Sequence, residues 1–351
     1  MKVFALQRQS HVAQGVASLS VSARVTEVLE YLQENEQNFT FISLAEDDPL
    51  CLSALNWADV LILSKHSSTE AITIAKTAKR LGVKVVYDID DWIFSFPNYS
   101  GGGAQNDKLG NISELIELSD SITVANAILF DRLKDKYKKI YLVPNGMWVE
   151  KYTKSVVKPN SREDRRPKIV FTNADLIKME SAKDSLFSAL QVFFSKNKHF
   201  VLDFYGDPFP EIPSLPFLHY TNRMPYDSYM RALIRGRYSF SISPLGAEED
   251  QDSLAFNECK NPFKYLNYGA ARVPGIYSSS TIYKNCIEDN VNGLLIDNDY
   301  KSWLDALNTL ANNHKLRDLI RENAYEDVMN NYHIRFSAKA LLNILKNQNE
   351  Y

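Results

Sequence analysis

Cysteine is scarce: Cys51, Cys259 and Cys286 are the only three in 351 residues. They form no CxxC pair and have no histidine at ligand spacing, so neither a structural zinc nor a disulfide framework is indicated, and a reducing, cytoplasmic setting fits best. No apolar run approaches the length of a membrane span, and the apolar part of the opening MKVFALQRQS is too short for a signal peptide. Any contact with a membrane is therefore expected from the surface. An excess of one charge is missing too. The 40 Lys and Arg stand against 43 Asp and Glu for a formal charge of −3, which leaves no electrostatic footprint for nucleic acid. Internal repeats, low-complexity tracts and a GxGxxG fingerprint are all absent.

What is present is an ordinary soluble composition, 45% hydrophobic and 24% charged, in a chain long enough for two cores. Short apolar runs alternate with helical patterns. Strands are expected at 2–6, 39–44, 58–63, 83–87, 121–125 and 140–143, and again at 168–172, 200–205, 217–220 and 238–242. ADVLIL at 58–63 is apolar throughout, as suits a strand buried on both faces of a parallel sheet. Between the two sets, 151–167 is rich in Lys, Arg, Pro and Asn and reads as a linker. Domains are thus expected at 1–150 and 168–335, with a last helical stretch at 336–351.

The most informative stretch is FNECKNPFKYLNYGAARVPGIYS, Phe256 to Ser278. Asn261 then Pro262 suits an N-cap followed by proline in the first helical turn, and the helix breaks at Arg272-Val273-Pro274 before the strand GIYSS. A helix start offers free N–H groups and the positive end of a macrodipole, and Lys264 adds a full charge, a combination that favours a phosphate. A capped surface helix with one solvated lysine satisfies the same residues.

Other candidates lie at expected strand ends, the rim where open α/β sheets bind ligands. Lys65 and His66 follow the third strand, and Asp88, Asp90 and Asp91 follow the fourth. Three adjacent carboxylates need basic or hydrogen-bonding partners if buried; otherwise one caps the next segment and the others face water. Gly15 lies in the loop after the first strand, and Gly206 closes the strand at 200–205. Lys178 and Lys183 follow the first strand of the second half, and either suits an exposed lysine equally well. The acidic loop Glu248, Glu249, Asp250 and Asp252 reads as solvated.

The run Asn261 to Ala270 closing in Val273-Pro274-Gly275-Ile276 resembles the donor-site motif of GT-B glycosyltransferases related to family 4. Phe256-Asn257, Lys260 and the Tyr87-Asp88-Ile89-Asp90-Asp91 segment are similar to the bacterial surface-polysaccharide branch, and Pro144-Asn145-Gly146 and Asn292-Gly293-Leu294-Leu295 resemble segments of family 4 more generally. The resemblance implies an α/β chain of two Rossmann-like domains facing each other across a cleft, with the last helical stretch, 336–351, crossing back to the first. It implies transfer of a sugar from a nucleotide-sugar donor to a glycan or lipid-linked acceptor, with retention and without a metal. On this reading Lys264, Asn261, Asn257, Asn267, Lys178, Lys183 and Gly206 hold the donor, Gly15, Lys65 and Asp88 the acceptor, and Asp90, Asp91 and His66 serve catalysis. Asn267 stands where the family has a ribose-binding Glu, and it lacks the charge that strengthens such bonds. That departure keeps open an idle GT-B binding domain, beside a GT-B sugar-nucleotide epimerase.

Overall fold

The computed structural model describes residues 1–8, 21–95, 106–154, 166–173, 180–206, 217–246 and 251–346. The chain divides into two units. Met1–Trp148, Cys259–Asn261 and the stretch from Tyr332 onward form the first; Val149–Glu258 and Pro262–Asn331 form the second.

The first unit is built on a parallel six-stranded sheet. Its strands are β1 (Lys2–Gln7), β2 (Thr40–Ala45), β3 (Val60–Ser64), β4 (Lys84–Ile89), β5 (Ser121–Val124) and β6 (Ile140–Leu142), in the order β2-β1-β3-β4-β5-β6. The period of two sorts each central strand between two cores. Phe4, Leu61, Leu63, Val85 and Tyr87 join the face covered by the Cys51–Trp57, Thr69–Arg80, Asn106–Leu118 and Ala127–Leu133 helices. Val3, Ala5, Val60, Ile62 and Val86 join the other, against Val28, Leu29 and Leu32 of the Glu27–Asn35 helix and Leu341, Leu342 and Leu345 of the Ile334–Leu345 helix. Both faces being covered, β3 is buried from end to end. The Pro144-Asn145-Gly146 turn seats the terminal helix: Ser337 Oγ donates to Pro144 O at 2.6 Å, and a Cβ on Gly146 would lie 2.7 Å from Ile334 Cα.

The second unit repeats the plan with β7 (Lys168–Asn173), β8 (Val201–Gly206), β9 (Leu218–Thr221), β10 (Phe240–Ser243), β11 (Gly275–Ser278) and β12 (Leu294–Ile296). The order is β12-β11-β10-β7-β8-β9, all parallel, so the chain reverses direction across the sheet between β7 and β10. In the first unit the reversal falls between β1 and β3. The second core gathers Phe171, Phe204, Phe240 and Ile242 with Leu186, Leu190 and Phe193 of the Glu180–Lys196 helix and Trp303 and Leu307 of the Tyr300–Asn312 helix. Each large side chain buried there is worth about 1.5–3 kcal/mol over leaving it in water.

Three segments differ from the sequence reading. Cys51–Trp57 and Gln251–Glu258 are helices that the pattern does not announce, because each is only about two turns long and buries only two or three side chains. The expected linker begins inside a short helix, Val149–Thr153, whose buried Tyr152 meets Tyr226 edge-on at 6.4 Å; residues 155–165 lie outside the described residues. Among the described residues no helix is long and apolar enough to cross a membrane.

Candidate functional site

In the second unit the helix of the motif runs Phe263–Ala270 and buries Tyr265 to Ala270. Its C-terminus closes with Arg272 N–H on Gly269 O at 3.0 Å and Val273 N–H on Tyr268 O at 2.8 Å, with Arg272 at φ 56°. That is the left-handed helix stop glycine usually supplies; here the Arg272 guanidinium lies 3.6 Å over the Tyr325 ring. The chain then enters β11, so the helix starts on the carboxyl-end side of the sheet and runs back.

The helix start corrects the expected cap. Pro262 is the N-cap, and its ring offers no side-chain cap to the first turn. The Asn261 amide belongs to the first unit, where it donates to the Asp90 carbonyl oxygen and its Oδ1 lies 3.3 Å from Asn126 Nδ2. A side chain with a better partner elsewhere does not cap its own helix. The first turn of Phe263–Ala270 thus carries the half-buried Lys264 at the positive end of the helix dipole, an arrangement that favours an anion.

Asn267 is buried beside the end of β7. Its Oδ1 accepts from Tyr226 Oη at 2.8 Å, and the adjoining Tyr268 Oη lies 2.8 Å from Thr172 Oγ1, which Tyr229 Oη approaches at 3.4 Å. Burial pushes the Tyr229 hydroxyl up to about 12, so the network stays neutral. Asn257 Nδ2 donates to Gly246 O at 2.9 Å and ties down the loop after β10. Gly206 answers a packing demand, since a Cβ there would fall 1.9 Å from Asn173 O on β7. Both residues, expected to hold donor, also shape the backbone around them. Lys183 lies half-buried on the Glu180–Lys196 helix. Lys178, Gly15 and the acidic positions Glu248, Glu249 and Asp250 fall outside the described residues; Asp252 is in the first turn of Gln251–Glu258.

In the first unit the strand ends bring together Lys65, His66, Asp88, Asp90 and Asp91. Lys65 has φ 51°, an uncommon conformation for a side-chain-bearing residue. Its amide donates to Asp88 O at 3.0 Å, and its Nζ pairs with Asp90 and, at 2.9 Å, with Asp91. Burial opposes charge on the Lys65 amine, but the two carboxylates outweigh it and push the pKa up. Burial pushes Asp90 up against the pull of Lys65. Asp90 is closed off at 1% exposure, whereas the Asp91 side chain keeps 29%.

Two expectations change here. Asp88 is not presented to an acceptor: it is buried under Arg24, which grips it through Nε and Nη2 at 2.7–3.0 Å, and under Thr123 Oγ1 at 2.6 Å and Ser64 Oγ at 3.2 Å. His66 is fully buried and its Nδ1 accepts the Ser64 N–H at 3.0 Å, which puts the proton of the neutral ring on Nε2. Burial pushes its pKa down to about 3. With its free lone pair occupied, His66 cannot take a proton from a substrate.

Sequence reasoning missed Arg24, Glu46, Ser68 and Asn126. Arg24 lies in a π-helical turn, Ser22–Thr26, ahead of Glu27–Asn35. Its one signal is an arginine on the apolar face of an amphipathic pattern. Among the described residues no cluster of three or more His, Cys, Asp or Glu is placed to hold a metal ion.

No family model matches the chain, and no curated protein matches its sequence. Solved structures do match. HepE of Anabaena, crystallised with UDP and glucose, aligns at TM-score 0.67 and 11% identity over 99% of this chain and 100% of that one. A glycosyltransferase from Rickettsia africae aligns at TM-score 0.63 and 14% identity over 99% and 98%. MnaA of S. aureus, crystallised with UDP, aligns at 0.61 and 12% over 99% and 97%. At such identities the likeness speaks of fold: the chain has two Rossmann-like α/β units of the GT-B type.

Proposed function

We propose that the chain is a glycosyltransferase that moves a sugar from a nucleotide-sugar to a glycan or lipid-linked acceptor. In this reading it retains anomeric configuration, works in the cytoplasm, at the inner face of a membrane when the acceptor is lipid-linked, and builds surface polysaccharide. The observation that carries the reading is the Phe263–Ala270 helix, whose first turn has no side-chain cap and bears Lys264. Preorganised N–H groups and one ammonium stabilise the charge that gathers on the diphosphate as the glycosidic C–O bond breaks. In this reading they offset that charge without a metal. Lys183 and the amide of Asn267 are further donor contacts, and Lys65 and Asp91 meet the acceptor. HepE and MnaA, which share the fold, were crystallised with UDP, and this supports a uridine nucleotide as the first donor to try.

The test is to incubate the protein with UDP-, GDP-, dTDP- and CMP-sugars and follow the anomeric and phosphorus signals by NMR. One nucleotide-sugar should be consumed with release of its nucleotide, faster when a glycan acceptor is added and at the same rate in EDTA. Conversion to an epimer without release would make the chain an epimerase. Binding without turnover would make it an idle binding domain, a reading favoured by one observation: the Asn267 carbonyl is already committed to Tyr226.

A further inference from the structure

We propose that Glu46 is an acceptor-binding carboxylate, held by Ser68 and His66 across the switch point of the first unit, where it accepts a hydrogen bond from a neutral sugar hydroxyl. The proposal rests on the glycosyltransferase reading and adds to it the chemistry of the acceptor.

Position comes first. Glu46 directly follows β2, while Ser68 and His66 follow β3, and β1 lies between those strands. The Glu46 side chain therefore reaches over the end of β1, where the sheet reverses its order. Open α/β sheets bind ligands at that place.

The two carboxylate oxygens are held differently. Oε2 accepts from Ser68 Oγ, and that same Oγ caps the Thr69–Arg80 helix by accepting the Ala71 N–H at 3.1 Å, so its hydrogen is directed at Glu46. Oε1 stands 3.4 Å from His66 Nε2, the nitrogen that carries the proton. The ring is locked by Ser64 N–H on Nδ1, and Tyr87 Oη donates to the His66 carbonyl at 2.7 Å. Nε2 closes no hydrogen bond of good geometry among the described residues, although the Gln7 backbone is near. So among the described residues Oε1 has one distant donor, on a side chain still 22% exposed, and keeps lone pairs for a further hydrogen bond.

Charge then selects the ligand. Burial raises the Glu46 pKa, the Ser68 hydrogen bond opposes it, Glu70 and Asp47 add to it, and Arg8 opposes. A partly desolvated carboxylate among other carboxylates is a strong acceptor for a hydroxyl and a poor neighbour for a phosphate. The group it takes is the neutral end of a glycan. His66, buried and neutral, is a positioning residue that fixes Glu46 and never meets the substrate.

The experiment measures binding of neutral methyl glycosides (glucoside, galactoside and mannoside, both anomers) by saturation-transfer NMR, and of UDP by calorimetry on the same samples. The wild-type chain should bind at least one glycoside. Glu46→Gln should weaken that glycoside about tenfold or more while UDP binding stays put. Asp47→Asn, a charge change next door, should leave the glycoside unchanged. Ser68→Ala removes a bond that holds the Glu46 pKa down, so the low-pH limb of glycoside binding should move to higher pH, which mere loss of a helix cap would not cause. The proposal is overturned if no methyl glycoside binds the wild-type chain, if Glu46→Gln binds as the wild type does, or if Asp47→Asn weakens binding equally. Loss of UDP binding in the wild-type chain would strike instead at the donor reading, since Glu46 takes no part in it.

Discussion

Arg24 and Asp88 form a buried pair in which each member also bonds to further neighbours. The guanidinium donates from Nη1 to Val143 O at 2.7 Å and to Asn145 Oδ1 at 3.1 Å, and the carboxylate takes Thr123 and Ser64. One cation thus ties the end of β4 to the Pro144-Asn145-Gly146 turn. Removing one member leaves a charge buried without its partner, which costs about 3–5 kcal/mol. Arg24→Met should lower stability by that amount in urea unfolding, and Arg24→Met with Asp88→Asn should recover most of the loss. An Arg24→Met chain as stable as the wild type would refute the account of this pair. The residue scale is also where the sequence is hardest to read. Lys65, Asp90 and Asp91 could be picked out because they follow apolar strands at the ligand-binding rim. Glu46 could not, since a glutamate after a strand looks solvated until tertiary contacts cover it, and Arg24 gave only the faint signal of an arginine on an apolar helix face. Asp88 and His66 lie at the strand-end rim that the pattern predicts but are turned into the unit, because sequence sets proximity to a strand end and says nothing of which way a side chain is held.

At the scale of elements, the Phe263–Ala270 helix was announced by its proline, its apolar spacing and its stop at Arg272-Val273-Pro274. Its cap was not, because Asn261 had a competing acceptor in Asp90, far away in sequence. The helix packs tightly on His314–Asn331: a Cβ on Gly269 would lie 2.7 Å from Val328 Cγ2 and 2.9 Å from Ala324 O. An alanine in a helix interior gains up to about 1 kcal/mol over glycine. Overpacking costs about 1–3 kcal/mol, and a carbonyl oxygen cannot move aside as a flexible side chain does. Gly269→Ala is therefore expected to be destabilised, with a lower urea midpoint and an unchanged slope. A higher midpoint would mean that the two helices are not in the close contact described. Short helices such as Cys51–Trp57 stay hidden from sequence for a related reason: two turns give too little periodicity to separate from a loop.

At the scale of the molecule, the alternation of apolar runs and helical patterns was enough to give two parallel α/β units, since strands buried on both faces read as continuous hydrophobic stretches. Strand order was not legible. The β2-β1-β3-β4-β5-β6 order of the first sheet and the β12-β11-β10-β7-β8-β9 order of the second arise from crossovers that residue patterns do not encode. Those orders decide where each reversal lies, and so which strand ends can hold ligand. The central claim is that the uncapped start of Phe263–Ala270, with Lys264, binds a nucleotide diphosphate. Calorimetric titration of UDP, GDP, dTDP and CMP into the wild-type chain and Lys264→Ala tests it most directly. One nucleotide should bind the wild type, and the variant should bind it about 10- to 100-fold more weakly, the worth of one charge-assisted hydrogen bond. Equal affinity in the two proteins, or no binding of any nucleotide to the wild type, would contradict it.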